Sequence, residues 1–275
     1  MSRTGPAATS VGGVPGIRHP TRPHGRGGLR TACRLLPAGL RADVFALYGV
    51  FSVIDDLVDE GDPVVAEARV AAVEDWCERG VVRSGEAAVL DGLAGRRPVP
   101  LQALRDFCAG MRHDLDGAPI DTEEDLDRYC SRVAGSVGVV MAVWLGERRP
   151  CTAAATALGI ALQRTNILRD LDEDRAHGRV YVSRETLDRF GPPVPGRREA
   201  LLRDQIARAD AWYAEGTAGI ADLRRGRPAI AAAAATYQGI LRRIEEEGYG
   251  ARPGRAVVPP VRRGLLAARA AAAAR

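Results

Sequence analysis

The chain has 275 residues, 46% of them hydrophobic, which is enough for one large domain with a continuous core, although two small domains would also fit. Ala supplies much of that share and aromatic residues only 5%, and abundant Ala, Leu and Arg favour helices, so the composition predicts an all-α protein. The net charge is +4, but the basic residues, all of them Arg, are interspersed with 35 acidic ones, which argues against a nucleic-acid partner.

The cysteines and the apolar runs indicate the compartment. Five cysteines occur without a CxxC pair or regular spacing, so we predict reduced core thiols rather than a disulfide framework. No apolar run reaches the roughly 20 residues of a membrane span, and the N-terminus lacks the apolar segment of a secretory signal. We therefore predict a cytoplasmic protein.

The spacing of apolar residues predicts the helices, and Gly and Pro residues predict where the helices end. Residues 1–27 are rich in Gly, Pro, Thr and Arg, and they are predicted to form a disordered leader before one helical domain at 28–275. A loop with a short turn is predicted at about 178–190. Helices are predicted at about 29–36, 40–60, 64–80, 84–94, 99–115, 122–145, 152–172, 197–224 and 227–247, with an Ala/Arg helix closing the chain.

The second predicted helix ends in the acidic motif Asp55-Asp56-Leu57-Val58-Asp59-Glu60. Asp55 and Asp59 are four residues apart, so they share one helix face about 6 Å apart along the axis. Like charges repel there, and the helix dipole disfavours negative charge at a C-terminus, so the pair favours a bound cation. Oxygen ligands alone favour Mg²⁺ or Mn²⁺ over zinc. The alternative is a solvated acidic helix end.

A second motif runs from Gln163 to Asp174. Asn166, Asp170 and Asp174 are spaced four apart and share a face, with Gln163 one turn earlier. Alone, this motif could be an exposed charged helix end. Together, two such faces could hold a Mg²⁺ cluster that binds a diphosphate leaving group, with an apolar helical cavity shielding the resulting carbocation.

The order of these segments resembles the squalene/phytoene synthases, over about Gly28 to Arg263. Besides the two acidic motifs, three segments carry the resemblance. They are Tyr129-Cys130-Ser131-Arg132-Val133-Ala134-Gly135-Ser136-Val137-Gly138, Gly178-Arg179-Val180-Tyr181 and Tyr237-Gln238-Gly239-Ile240-Leu241 followed by Arg255.

The resemblance implies a single-domain isoprenoid-synthase helical bundle with a central cavity. It implies a prenyltransferase that couples two farnesyl or geranylgeranyl diphosphates head to head, with no need for NADPH if the product is phytoene or dehydrosqualene. The implied Mg²⁺ ligands are Asp55, Asp59, Asn166, Asp170 and Asp174. The implied catalytic residues are Asp55, Asp59, Tyr129 and Asp170, and the implied substrate-binding residues are Tyr48, Gln163, Arg169, Tyr237 and Arg255.

The sequence departs from the family pattern at several positions. Phe51-Ser52 stands where the family usually has Cys-Arg, and Ser52 cannot clamp a diphosphate as that Arg does. Ser183 stands where the family has Pro. Three hypotheses remain: the usual coupling; a diverged member that transfers one prenyl group to another acceptor, such as an aromatic ring, or cyclises it; and a non-enzymatic helical subunit. The complete ligand set argues against the third.

Two further expectations concern the periphery of the site and of the molecule. Candidate cavity-wall residues are Leu57, Val58, Val133, Val137 and Leu162. The C-terminal Ala/Arg helix is predicted to make at most a weak peripheral contact with an anionic membrane. Neither substrate chain length nor oligomeric state follows from the sequence.

Overall fold

The computed structural model describes residues 33–274, so the predicted leader and the first half of the predicted helix 29–36 lie outside the described residues. The described part is built from α-helices, as predicted. They are α1 (Ala38–Glu60), α2 (Pro63–Arg79), α3 (Gly85–Ala94), α4 (Leu101–Asp116), α5 (Glu123–Cys130), α6 (Ser136–Leu145), α7 (Thr152–Ala176), α8 (Arg184–Phe190), α9 (Glu199–Ala218), α10 (Arg227–Glu246) and α11 (Pro260–Ala273).

The break after the first acidic motif is where the sequence predicts it. Asp62 caps α2 by accepting a hydrogen bond from the Val64 amide at 2.8 Å, and Pro63 takes the first helical position. Gly80 ends the same helix in the left-handed region, at φ 68°. Because Asp62 and Pro63 start α2 so soon, α1 ends at Glu60, directly after the motif, and its carboxylates lie at a helix end.

The predicted single helix at 122–145 contains a π-helical turn, Ser131–Gly135, between α5 and α6. The turn lies where α6 and α7 pack backbone to backbone. A Cβ atom on Gly138 would lie 2.4 Å from the Ala155 carbonyl oxygen, and one on Gly159 would lie 2.5 Å from that of Ala134. Glycine is required at both positions because of this close approach.

Two other boundaries differ from the predictions. Helix α7 continues to Ala176 and so keeps Asp174 on the same helical face as Asp170. The segment predicted as a loop contains α8, because Ser183 caps it by accepting a hydrogen bond from the Thr186 amide at 3.2 Å. The first miss is at a helix end, where helix signals in sequence are weakest, and the second is a helix of only seven residues.

The core has two large apolar clusters on either side of the central cavity. One is formed mainly by α1–α4 and α6, and the other mainly by α5 and α7–α10. The cysteines of the described part are all free and buried, which confirms the predicted reduced core thiols: Cys33, Cys77, Cys108, Cys130 and Cys151.

Helix α11 packs along α10 on the outside of the bundle. Leu266 of α11 packs against Gly239 of α10, where a Cβ atom would lie only 2.7 Å from its Cδ1 atom. Val261 and Leu265 remain 77% and 67% exposed. Among residues 33–274, none of the helices has the length and apolar content to cross a membrane.

Candidate active site

Helices α1 and α7 carry the two acidic motifs at their C-terminal ends. In α1, Val44, Leu47 and Ile54 are buried in the core. Their burial turns Tyr48 and Asp55 toward the cavity. In α7, the corresponding buried residues are Ile167, Leu168 and Leu171. The apolar spacing of each helix therefore sets the direction of its polar residues.

A polar cavity of about 280 Å³ lies between these helix ends. It brings together nine of the eleven residues that the sequence predicts for the site: Tyr48, Asp55, Asp59, Asn166, Arg169, Asp170, Asp174, Tyr237 and Arg255. Seven carboxylates and three arginines line it, so negative charges exceed positive ones by four when all are ionised. An anionic diphosphate would need added cations to bind here.

An apolar cavity of about 290 Å³ adjoins the polar one and extends into the bundle. Five residues line both cavities: Tyr48, Ser52, Asp55, Asn166 and Tyr237. Gln163 lines only the apolar cavity, beside Asn166. The molecule thus has a charged mouth opening onto an apolar interior.

The predicted wall residues are partly correct. Val133, Val137 and Leu162 line the apolar cavity, whereas Leu57 and Val58 do not. Leu57 is two residues from Asp55, hence about 200° around the helix from it. Val58 packs against the core cluster instead.

Arginines pair with both acidic motifs, and two of them, Arg179 and Arg255, come from distant parts of the chain. Arg179 bonds the Asp59 carboxylate and donates to its main-chain oxygen at 2.8 Å. Arg169 donates from Nε to Asp170 at 2.8 Å, and the Arg255 Nε lies 3.0 Å from the same carboxylate. Burial and the positive charge of Arg169 lower the pKa of Arg255. Three guanidinium groups therefore lie among the carboxylates that line the mouth.

Two observations show that the donor set fits a hard cation. Burial, together with the charges of Asp170, Asp59 and Glu173, raises the pKa of Asp174 to about 7. The Asn166 Oδ1 atom is buried and accepts no hydrogen bond, while its amide nitrogen donates to Gln163 at 3.2 Å. An excess of negative charge beside an unsatisfied neutral oxygen suits Mg²⁺.

The carboxylates do not form a ready-made cage. Within residues 33–274, no three His, Cys, Asp or Glu side chains converge closely enough to hold one ion. Mg²⁺ in proteins commonly takes one or two carboxylates and completes its shell with water and substrate phosphate oxygens. The geometry suits metal ions shared with a diphosphate.

Tyr129 is the one predicted residue that lies outside the lining of both cavities. It is 5% exposed, donates a hydrogen bond to Asp114 at 3.1 Å and stacks on Tyr181, with ring centroids 5.3 Å apart. Burial raises the pKa of Tyr129, and it raises the pKa of Asp114 to about 7. Tyr129 therefore belongs to a buried polar cluster near Asp59 and Arg179, whose charges also affect the pKa of Asp114.

Sequence reasoning misses Asp114 and Arg179 as members of the site. Asp114 looks like an ordinary charge near the end of an amphipathic helix, and nothing in its spacing marks it. Arg179 did carry a signal, since it lies in the Gly178–Tyr181 segment that follows the second motif. Its pairing with Asp59 is visible only once α1 and α7 are brought together.

The departures from the family pattern have different consequences. Ser183 is fully buried, caps α8 and donates to the Glu123 carboxylate, so it has a structural role. Ser52 is 9% exposed and lies where the two cavities meet. An arginine there would add a positive charge beside Asp55, between mouth and interior, whereas serine adds none.

Comparison with known proteins identifies relatives of this chain. The sequence profile of squalene/phytoene synthases matches residues 29–262. The chain is 36% identical to a phytoene synthase of Thermus thermophilus, covering 88% of this chain and 86% of that one. It is 35% identical to a 15-cis-phytoene synthase of Synechococcus elongatus, covering 83% of each.

A solved dehydrosqualene synthase in complex with ligand shares the fold, with a TM-score of 0.81 and 26% identity over 90% of this chain and 91% of that one. The predicted fold class and enzyme class are thereby confirmed, and the non-enzymatic hypothesis is wrong. The chain belongs to the squalene/phytoene synthase family, whose members are prenyltransferases that release diphosphate.

Proposed function

We propose that this enzyme couples two molecules of geranylgeranyl diphosphate head to head, forming a C40 hydrocarbon and releasing two diphosphates. The observation that carries the proposal is the charged mouth opening directly onto an apolar cavity of about 290 Å³. The names of the relatives, which are phytoene synthases, support the C20 substrate over the C15 one.

The mouth supplies the groups that bind the diphosphate. Arg169, Arg179 and Arg255 offer guanidinium donors, which pair with phosphate oxygens in a bidentate manner. The residues that would hold Mg²⁺ are Asp55, Asp59, Asn166, Asp170 and Asp174. When bound, Mg²⁺ neutralises the charge of the departing diphosphate.

The apolar cavity shields the carbocation formed when the C1–O bond of the substrate breaks. Its aliphatic walls exclude water, which would otherwise capture the cation. Tyr48 and Tyr237 lie at the junction, where aromatic rings favour a nearby cation. The double bond of the second substrate then supplies the electron pair for the new carbon–carbon bond, and loss of a proton gives a cyclopropyl C40 diphosphate. Breaking the C1–O bond of this intermediate releases the second diphosphate, and the rearranged cation loses a second proton to give the C40 hydrocarbon.

Ser52 favours a second candidate function. If the lack of a positive charge at position 52 weakens one diphosphate site, the enzyme would ionise a single prenyl diphosphate and pass the prenyl group to another acceptor, or cyclise it. This alternative uses the same mouth residues and the same cavity. It differs only in what meets the cation.

Product analysis separates the two functions. The purified enzyme is incubated with Mg²⁺ and either farnesyl or geranylgeranyl diphosphate alone, and products are identified by mass spectrometry. We expect a symmetric C40 hydrocarbon from the C20 substrate without added NADPH. A cyclic monomeric product, or turnover only after an aromatic acceptor is added, would contradict coupling.

We also infer a weak peripheral contact between α11 and an anionic membrane, which would help an oily product leave. Val261 and Leu265 on α11 are exposed, as is Val257 just before it, and the chain has no acidic residue after Glu247. Exposed apolar side chains among arginines suit the surface of an anionic bilayer. The cytoplasmic location stays a prediction.

A further inference from the structure

One acidic residue of the second motif faces away from the mouth. Asp172 does not line the polar cavity. Its carboxylate accepts hydrogen bonds from Arg198 Nη1 and Nη2 at 2.6 and 2.8 Å, and from the Gly254 amide at 2.8 Å. Both carboxylate oxygens thus accept hydrogen bonds from the protein. Asp172 therefore stabilises the structure around the site and does not bind a ligand.

Arg198 connects this carboxylate to the closing segment, residues 248–258. It is 4% exposed and lies just before α9. Its Nε donates to the Gly250 carbonyl oxygen at 3.2 Å, and Nη2 donates to that of Arg252 at 3.3 Å. One guanidinium group therefore joins α7, the start of α9 and the closing segment.

The closing segment takes a path that needs such support. Gly248, Tyr249, Gly250 and Gly254 all have positive φ, and Tyr249, at 53°, is a residue that rarely adopts this conformation. A Cβ on Gly250 would lie 2.2 Å from Arg198 Nε, so the backbone passes directly over the guanidinium. Arg203 adds a contact by stacking on the Tyr249 ring at 3.9 Å.

The residue placed by this path is Arg255. It follows Gly254, whose amide is held by Asp172, and its guanidinium lies against Asp170 and Glu173 in the mouth. The hydrogen bond from Gly254 to Asp172 lies one residue before the side chain that reaches Asp170. It therefore fixes the point at which the closing segment enters the mouth.

We propose that Asp172 and Arg198 form a latch that positions Arg255 for the diphosphate. Both are positioning residues, since neither lines the mouth. The proposal rests on the proposed function only in taking the ligand to be a diphosphate. Without the latch, the closing segment loosens and Arg255 no longer holds a fixed place beside Asp170.

The test compares Asp172→Asn, Arg255→Ala and the double variant. We expect Asp172→Asn to weaken pyrophosphate binding with Mg²⁺, measured by calorimetry, by about tenfold. Arg255→Ala should weaken it at least as much, and the double variant should bind like Arg255→Ala alone, because the latch acts only through that residue. Hydrogen–deuterium exchange of residues 248–258 should quicken in Asp172→Asn and stay unchanged in Arg255→Ala.

A matched control and a milder variant guard against a general folding defect. Arg262→Ala removes another arginine–carboxylate pair with two hydrogen bonds, the one between Arg262 and Glu246. Both of these side chains are exposed, and Arg262 follows Arg255 in the chain. It should leave both pyrophosphate binding and exchange of 248–258 as in the wild type. Arg198→Lys keeps the charge but loses the forked geometry, and it should give an effect between wild type and Asp172→Asn.

The outcomes are distinguishable. The latch would be overturned if hydrogen–deuterium exchange of residues 248–258 were unchanged in Asp172→Asn. It would also be overturned if the double variant lost pyrophosphate affinity by the product of the two single losses. If wild-type protein binds no pyrophosphate, the diphosphate part of the proposed function fails. The exchange of 248–258 in metal-free protein would still decide whether Asp172 holds the segment.

Discussion

The two cavities of this enzyme are nearly equal in volume, about 280 and 290 Å³, yet opposite in lining. Helices α1 and α7 line both of them. In α7, Leu158 and Leu162 face the apolar cavity, and from Asn166 onward the same face carries polar groups to the mouth. The change occurs within one turn. The boundary between leaving-group chemistry and cation shielding is therefore set by the residue order along a helix.

The cavities also differ in what they require of the sequence. The mouth needs particular atoms at particular spacings, because diphosphate and Mg²⁺ are recognised by charge and oxygen geometry. The apolar cavity needs only volume and apolarity, which many combinations of side chains supply. Substitutions should therefore act steeply in the mouth and in a graded, substrate-dependent way in the interior.

The largest effect is expected from Asp170→Ala. It removes a carboxylate that contacts both Arg169 and Arg255 and belongs to the proposed ligand set. We expect product formation to fall about a hundredfold or more, measured by radiolabelled product extraction at saturating Mg²⁺. Asp188→Ala, on the exposed side of α8, serves as the control and should keep full activity. Activity within twofold of wild type in Asp170→Ala would rule out the proposed mouth.

A smaller, length-dependent effect is expected from Val137→Trp, which fills part of the apolar cavity. Turnover of the C20 substrate should fall about tenfold or more, and that of a C10 diphosphate should fall less, because the shorter chain occupies less of the cavity. Pyrophosphate affinity should not change, since the mouth is untouched. An equal loss for both substrates would mean that the cavity does not hold the prenyl chain.

A moderate effect on stability is expected from Asp114→Asn. Burial raises the pKa of Asp114 to about 7, so between about pH 4 and 7 the folded protein holds a proton that the unfolded chain has released. This stabilisation is present at low pH and is lost as the pH rises through that window. As the pH rises from 4 to 7, the unfolding temperature of metal-free protein should fall in the wild type, and in Asp114→Asn this fall should be smaller by a few degrees. Identical slopes in scanning calorimetry would contradict a raised pKa.

The smallest effect is expected outside both cavities. Leu265→Asp places a charge on the exposed face of α11. Binding to vesicles of anionic phospholipid, measured by co-sedimentation, should weaken about threefold, and turnover in detergent solution should not change. Wild-type protein that binds neutral and anionic vesicles equally, or neither, would show that α11 has no role at a membrane.

The difference between the cavities also explains what could be predicted from the sequence. The helical class, most helix bounds and five oxygen ligands of the mouth were predictable, because helix periodicity and oxygen-ligand spacing are local signals. The other four predicted mouth residues were implied only by the resemblance to the family: Tyr48, Arg169, Tyr237 and Arg255. Asp114 was not, since its role depends on burial against Tyr129. Leu57 and Val58 were misassigned because neighbouring residues on a helix face different directions.

Long-range pairings were also beyond local reasoning. The contact of Arg179 with Asp59 spans 120 residues, and that of Arg198 with Gly250 spans 52. Each depends on how helices pack, for which a single sequence has no local signal. Asp172 illustrates the limit, because it lies within the second motif while its hydrogen bonds come from Arg198 and the Gly254 amide.

The central claim is that one mouth and one adjoining apolar cavity consume two prenyl diphosphates per product, despite the neutral Ser52 at their junction. The most direct test is the ratio of diphosphate released to hydrocarbon formed with geranylgeranyl diphosphate as the sole substrate. Coupling predicts two diphosphates for each C40 hydrocarbon. One diphosphate per product, with the prenyl chain recovered as a C20 compound, would contradict it.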